Sequence, residues 1–344
     1  MTIDESERVE SVDEKIETSQ IWPAWHNELK IFRGSSRLKA AWQLLNTLVP
    51  YFFLWYLMVR SIQHGYSYAW TLILALPAAA FLVRLFTLFH DCVHDSFLKS
   101  KRGNAFFGYI LGVLVFTPFE DWRFTHLRHH GTYANLDSRG FGDIWTMTLK
   151  EYKNSSSMKQ LRYRLYRNPI VLFGFGSIFN FLFYNRIPDS RVKRKERMSV
   201  VLTNLLILAV ALTAARIIGW QAYILIQLPA LWMAGGAGIW LFYVQHQFEG
   251  GYWARNNEWQ PLHAAMEGSS FYNLPAVLRW FSGDIGYHHI HHLNSMIPNY
   301  NLKTCYESIQ ELRARAPLTF LKSLNCYRLK LWDEDLQKMV AFPR

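Results

Sequence analysis

Four long uncharged apolar stretches punctuate this chain: Ala41–Val59, Ser67–Val83, Ser199–Ala215 and Ala222–Val244. A bilayer core about 30 Å thick needs ~20 apolar residues at 1.5 Å rise each, with ~17 the short limit, so each stretch can cross it as a helix. A soluble core helix can also be apolar all round, but four such runs in one chain set that reading aside. Two shorter stretches, Ala105–Phe119 and Pro169–Asn185, read as membrane-surface or partly embedded helices. The second has basic residues on both flanks, and a full crossing would put one set on the wrong side. The expected fold class is an all-α integral membrane protein with four transmembrane helices, interfacial helices and a cytosolic cap rich in histidine.

Basic residues set the orientation. They concentrate at Lys150–Arg167 and in RVKRKER, Arg191–Arg197, between the second and third stretches. Lys and Arg collect in cytoplasmic loops, so the middle of the chain and both termini are expected in the cytosol. The chain then divides into an acidic N-terminal region (1–37), a membrane domain (38–330) and a C-terminal tail (331–344). The first 20 residues are acidic and polar; they read as a disordered cytosolic tail and not as a signal or transit peptide.

Composition adds exclusions. With 51% hydrophobic residues the 344-residue chain is too apolar for disorder. The net charge of +11 is accounted for by the basic loops, so no nucleic-acid partner is expected. The three cysteines, Cys92, Cys305 and Cys326, are widely spaced and support neither a disulfide framework nor a cysteine-based zinc or iron–sulfur site.

The candidate chemistry lies in the histidines. Ten of the 13 fall on the side expected to be cytosolic: His90 and His94 past the second span, His126, His129 and His130 in the middle, His246 at the end of the fourth span, and His288, His289, His291 and His292 beyond it. HDCVH puts two rings on one helix face at i, i+4, and HLRHH puts three there at i, i+3, i+4. HHIHH repeats that spacing in His288, His291 and His292 and leaves His289 about 100° around the helix. Nine imidazoles exceed the six ligands of an octahedral ion, so two metals are expected. Imidazole suits Fe, Zn, Cu and Ni alike, which leaves the metal open, although closed zinc sites lean on cysteine. Asp91, Asp95, Asp137, Asp143 and Asp284 lie beside these boxes as candidates to accept a ring N–H, or as ordinary cap and loop acids. His26 and His64 read as surface residues, and His263 stays unassigned. Trp122, Trp145, Trp253 and Trp280 read as membrane-interface anchors before channel lining.

The segments HDCVHDSF, FTPFEDWRFTHLRHHGTYANLDSRGFGDIWTMTLKEY, YVQHQFEGGYW and GDIGYHHIHHLNSMIPNYNL resemble the membrane fatty-acid desaturases, especially the bacterial and cyanobacterial acyl-lipid omega-6 (delta-12) branch. The resemblance runs from about Leu38 to Lys330. It implies a di-iron cap in which His90, His94, His126, His129, His130, His246, His288, His291 and His292 bind two irons (Fe2+). These would activate O2 and remove two hydrogens from a membrane-lipid acyl chain. It also implies a separate electron donor, a ferredoxin or similar protein, and a site on the cytosolic face of a bacterial inner membrane. Val93 stands where this branch commonly has Gly, and Asp284 where Asn is common; both are expected to shape the substrate path. An unactivated C–H bond offers no polar handle, so a cofactor-bound oxidant is what such a substrate demands. Hydroxylases of alkyl, sterol or carotenoid substrates share such boxes. A metal transporter would set its ligands near the membrane midplane, whereas these histidines lie at or past the span ends.

Overall fold

The computed structural model describes residues 22–343, so the N-terminal tail lies outside the described residues. Helix α1 (Arg37–Gln63) starts at Ser36, whose hydroxyl accepts from the Lys39 N–H, and helix α2 (Tyr68–Val93) starts at Ser67 in the same way through Ala69. Ser at this position satisfies a backbone donor that the first turn leaves free. Gly65, at φ +68°, turns the chain between them. α2 is the centre of the largest core: Ala75, Ala78, Leu82, Leu85, Leu88 and Phe89 are buried on it, against α1 and the helices that follow.

Helices α3 (Lys101–Leu114) and α4 (Phe119–Thr132) meet at a bend of 102°. Phe116 adopts φ +54°, the Thr117 N–H returns to the Gly112 carbonyl, and Pro118 opens α4 without needing a hydrogen-bond partner. This pair contains the first of the two shorter apolar stretches. The second is broken into the turn Ile170–Phe175, helix α6 (Gly176–Leu182) and the turn Tyr184–Arg186, after the basic helix α5 (Ser157–Tyr166).

Helices α7 (Arg194–Ile218) and α8 (Trp220–His246) are joined at Gly219. α7 exposes Leu205, Leu208, Leu212 and Ile217, an apolar face that a bilayer covers. Among the described residues three helices are long and apolar enough to cross a membrane: α2, α7 and α8. α1 has 27 residues, but Gln43, Asn46, Pro50, Tyr51 and Tyr56 dilute its apolar run. The first of the four expected spans therefore forms as a helix without qualifying on composition.

Past α8 the chain folds into short pieces over the ends of α2 and α8. Helix α9 (His288–Leu293) and helix α10 (Asn299–Ser308) pack on one another, and the strands are two or three residues long. Strand β1 (Met147–Thr148) pairs in parallel with β4 (Leu331–Asp333), which pairs antiparallel with β5 (Lys338–Val340). β2 (Tyr272–Asn273) pairs with β3 (Leu318–Thr319). The segment past residue 330, set apart as a tail on sequence grounds, thus supplies two strands to the loop after α4.

Candidate metal centre

Four helices bring the histidines together. His90 lies in the last turn of α2 and His94 caps it; His126, His129 and His130 line α4; His246 is the last residue of α8; His288, His291 and His292 come from α9. Asp284 stands four residues before α9 at φ +57°, a left-handed backbone that Asp and Asn tolerate better than most residues. Its carboxylate lies 3.5 Å from Arg279 Nε and touches no histidine.

The rings form two groups. His90, His94, His126, His130 and His291 present nitrogens within 4.8 Å of one another, and so do His129, His246 and His292. His288 joins the second group, its Nε2 3.0 Å from that of His246 and 3.1 Å from that of His292. Each three-histidine box is split. The i, i+4 pair of α4 faces the first group and His129 the second, whereas on α9 His288 and His292 face the second and His291 the first. Residues i+3 and i+4 differ by about 100° around a helix, so α4 and α9 each run between the groups and serve both.

Protons alone cannot hold these contacts. His130 Nε2 lies 3.2 Å from His126 Nε2 and 3.0 Å from His291 Nε2, and His246 Nε2 lies 3.1 Å from His129 Nε2 and 3.0 Å from His288 Nε2. One ring nitrogen carries a single proton or a single lone pair, so it satisfies one such neighbour and not two. With metal–nitrogen bonds of about 2.1 Å, ligands at right angles stand about 3.0 Å apart, which is the spacing seen. Both ring nitrogens of His94 are buried with no hydrogen-bond partner among the described residues, which a cation resolves. Burial holds His94, His288, His291 and His292 well below the usual value of 6.5, and neighbouring rings add to it. Neutral imidazoles with free lone pairs result. The residues present therefore fit a pair of metal ions.

Outer contacts single out one acid. Asp143 Oδ1 accepts from His129 Nδ1 at 2.5 Å, and its other oxygen accepts from the Gly140 N–H at 3.2 Å. Such a carboxylate fixes the ring and raises its basicity. Asp91 Oδ1 is 3.5 Å from His90 Nδ1, and its Oδ2 accepts from the Asn299 N–H at 2.7 Å. Asp95 pairs with Arg123, and Asp137 with Arg255, so neither reaches a histidine. Asp143→Ala is expected to weaken metal binding roughly 10- to 100-fold in chelator competition, with Asp137→Ala unchanged.

His289 turns away from both groups, as its helical position implies. Its Nε2 lies 3.2 Å from the Leu312 carbonyl oxygen, beside Phe271 and Tyr306. His26 is buried and stacks on Trp22 at 4.1 Å, contrary to the surface position expected, because the segment before α1 folds against α10. His64 is exposed, and His263 pairs with Glu267 on a short surface helix.

A cavity of about 1600 Å³ opens against the first group, with His90, His126 and His288 in its wall beside Phe86, Phe181 and Phe242. Trp122 and Trp145 also line it, and Trp122 stacks on His126 at 4.2 Å. Trp253 is buried against Tyr133, and Trp280 lies under the Arg84 guanidinium at 4.0 Å. Interface anchoring thus fails for Trp253, and Trp122 belongs to the site. Val93 and Asp284 are absent from the cavity wall: Val93 is core, and Asp284 is a turn residue. Sequence reasoning missed the three phenylalanines and Tyr133, whose hydroxyl lies within hydrogen-bond distance of the His246 and Gly268 carbonyls. Nothing in their local sequence separates them from core aromatics.

Membrane-length helices and a histidine cluster facing an apolar cavity define a membrane protein with a candidate metal centre. Residues 66–323 match the family model for fatty acid desaturases. The chain is 47% identical over 300 residues to a fatty acid desaturase of Bacillus subtilis, covering 87% of this chain and 85% of that one. It is 27% identical over 245 residues to the sn-1 acyl-lipid omega-3 desaturase (ferredoxin) of Synechocystis, covering 66% of this chain and 64% of that one. It is 25% identical over 240 residues to the sn-1 oleoyl-lipid 12-desaturase of the same organism, covering 67% and 65%. The chain thus spans less than two thirds of the two Synechocystis proteins. The chain belongs to the fatty acid desaturase family, and it is an oxidoreductase of the desaturase type.

Proposed function

We propose that the protein is an O2-dependent di-iron desaturase that puts a cis double bond into an acyl chain of a membrane lipid. The observation that carries this reading is the pair of histidine groups, five and four strong, which reach the wall of an apolar cavity through His90, His126 and His288. His90, His94, His126, His130 and His291 hold one iron; His129, His246, His288 and His292 hold the other. Iron bound there supplies the oxidant: O2, two electrons and two protons take two hydrogens from adjacent methylenes and leave a double bond and two waters. The chain's own residues do the rest. Asp143 holds the His129 ring through Nδ1, Trp122 packs on His126, and Phe86, Phe181 and Phe242 give the cavity an apolar wall.

The site faces the cytosol of a bacterial inner membrane in this reading. His90 and His246 end α2 and α8 on one side, and the basic run Arg191–Arg197 leads into α7. Electrons come from a separate donor, a ferredoxin or similar protein; one relative carries ferredoxin in its name.

The finer reading is the omega-6 position, with oleoyl lipid converted to linoleoyl lipid. It rests on the box-flanking motifs and on the relative named as an oleoyl-lipid 12-desaturase. The test is a host given oleate or, separately, only saturated acids, with double bonds located in extracted lipids. A diene made only from oleate is expected. A monoene from stearate or palmitate would discard the omega-6 position and keep the desaturase, and new hydroxyls in place of double bonds would favour a hydroxylase.

A further inference from the structure

Helix α8 forms one wall of the cavity, with Leu231, Ala234, Gly235, Gly238, Phe242 and Gln245 along a single helix face. Its glycines are there for different reasons. A Cβ at Gly235 would stand 3.0 Å from the Phe181 ring and 3.0 Å from Ser177 Cβ, and one at Gly236 would stand 2.9 Å from the Phe173 carbonyl oxygen. Those two positions let α6 and the turn before it close on α8. At Gly238 a Cβ would meet nothing within 4 Å. Glycine inside a helix costs about 1 kcal/mol relative to alanine, and no packing contact at Gly238 offsets that. What the missing side chain leaves is space in the cavity.

We propose that Gly238 determines the acyl chain length the enzyme accepts. Gly238 lies eight residues before His246, about 12 Å along the helix axis. His288, 3.0 Å from His246, stands in the same cavity wall. With the double bond counted from the ester end, as in the delta-12 form of the reading above, an acyl chain whose reacting carbons lie beside the histidine groups extends its remaining methylenes, more of them in a longer chain, past the open side of α8 at Gly238. A side chain there removes the room for the end of the chain and leaves the reacting end undisturbed. This inference rests on the acyl-chain reading above and adds to it the residue that sets the length.

The experiment uses the full chain in a host supplied with 16- and 18-carbon acids of the class the wild type converts. Gly238→Leu is expected to lower 18-carbon conversion relative to 16-carbon conversion about tenfold, the scale of one or a few misfitting methylenes. Gly238→Ala moves the ratio the same way by less, and carries the test if the leucine variant does not fold. Ala237→Leu, on an exposed face outside the cavity wall, leaves the ratio alone. Metal content, read on every variant, stays at the wild-type value, and the thermal midpoint of the Gly238 variants does not fall, since helix propensity alone raises it. An unchanged ratio in an active Gly238 variant, or equal loss of both products with metal retained, overturns the proposal. A wild-type chain that makes no double bond from either acid sinks the acyl-chain reading itself, and this inference with it.

Discussion

His291→Ala is expected to abolish double-bond formation and strip metal from the protein, while His289→Ala, two residues away, keeps the metal. His291 is buried, its Nε2 3.0 Å from that of His130 and its ring 4.4 Å from His90 and 4.7 Å from His94. Its loss opens the five-member group at the edge shared by three helices. The drop in metal affinity should exceed the roughly 100-fold that loss of an outer partner can cost. His289 fills the core beneath α9 among Phe271 and Tyr306. Its truncation should cost roughly 2 kcal/mol or more of stability through the cavity it leaves, seen as a lower thermal midpoint. Metal analysis on both variants separates the two roles. Equal metal loss at His289 would show that the wrong members of the run were assigned to the centre.

The second large effect is on stability. Arg167 is fully buried, and among the described residues no carboxylate is one of its hydrogen-bond partners. Its Nη1 donates to the Trp145 carbonyl at 3.2 Å and the Thr146 hydroxyl at 3.4 Å. Its Nη2 shares two N–H groups among three acceptors within reach, the Tyr243 hydroxyl and Gln247 Oε1, each at 3.0 Å, and the Leu329 carbonyl at 2.8 Å. One guanidinium thereby ties the end of α5, the loop before β1, the end of α8 and the C-terminal segment, above the cavity wall. Arg167→Met keeps the apolar stem but leaves these acceptors dry. Leaving neutral buried acceptors unsatisfied costs roughly 1–3 kcal/mol. Lysine lacks the planar fork, so Arg167→Lys should recover only part of it. Unfolding in mild detergent measures both, and a loss under about 1 kcal/mol for methionine would remove Arg167 from this role.

What could be read from the chain followed periodicity. Helical spacing put His126 with His130 and His288 with His292, set His289 aside, and located α2, α7 and α8 by their apolar runs. Features fixed by tertiary packing could not be read. The split of each box between two groups needs the crossing of α4 with α9, which no local pattern encodes. Five acids beside the boxes looked alike, and only the loop carrying Asp143 folds back onto a ring. His26 and Trp253 are buried by segments far away in sequence. Val93 and Asp284 stood out against the family pattern, yet one fills the core and the other serves a left-handed turn. The short strands of the cap, two or three residues each, carry too little alternation to be seen.

The proposed centre of two irons held by nine histidines has a direct readout in metal content. Elemental analysis of the wild-type chain, purified in mild detergent from an iron-supplied host in which it makes double bonds, tests it most directly. Close to two irons per chain and little zinc are expected. A single iron, or zinc in place of iron in chains that remain active, would contradict it.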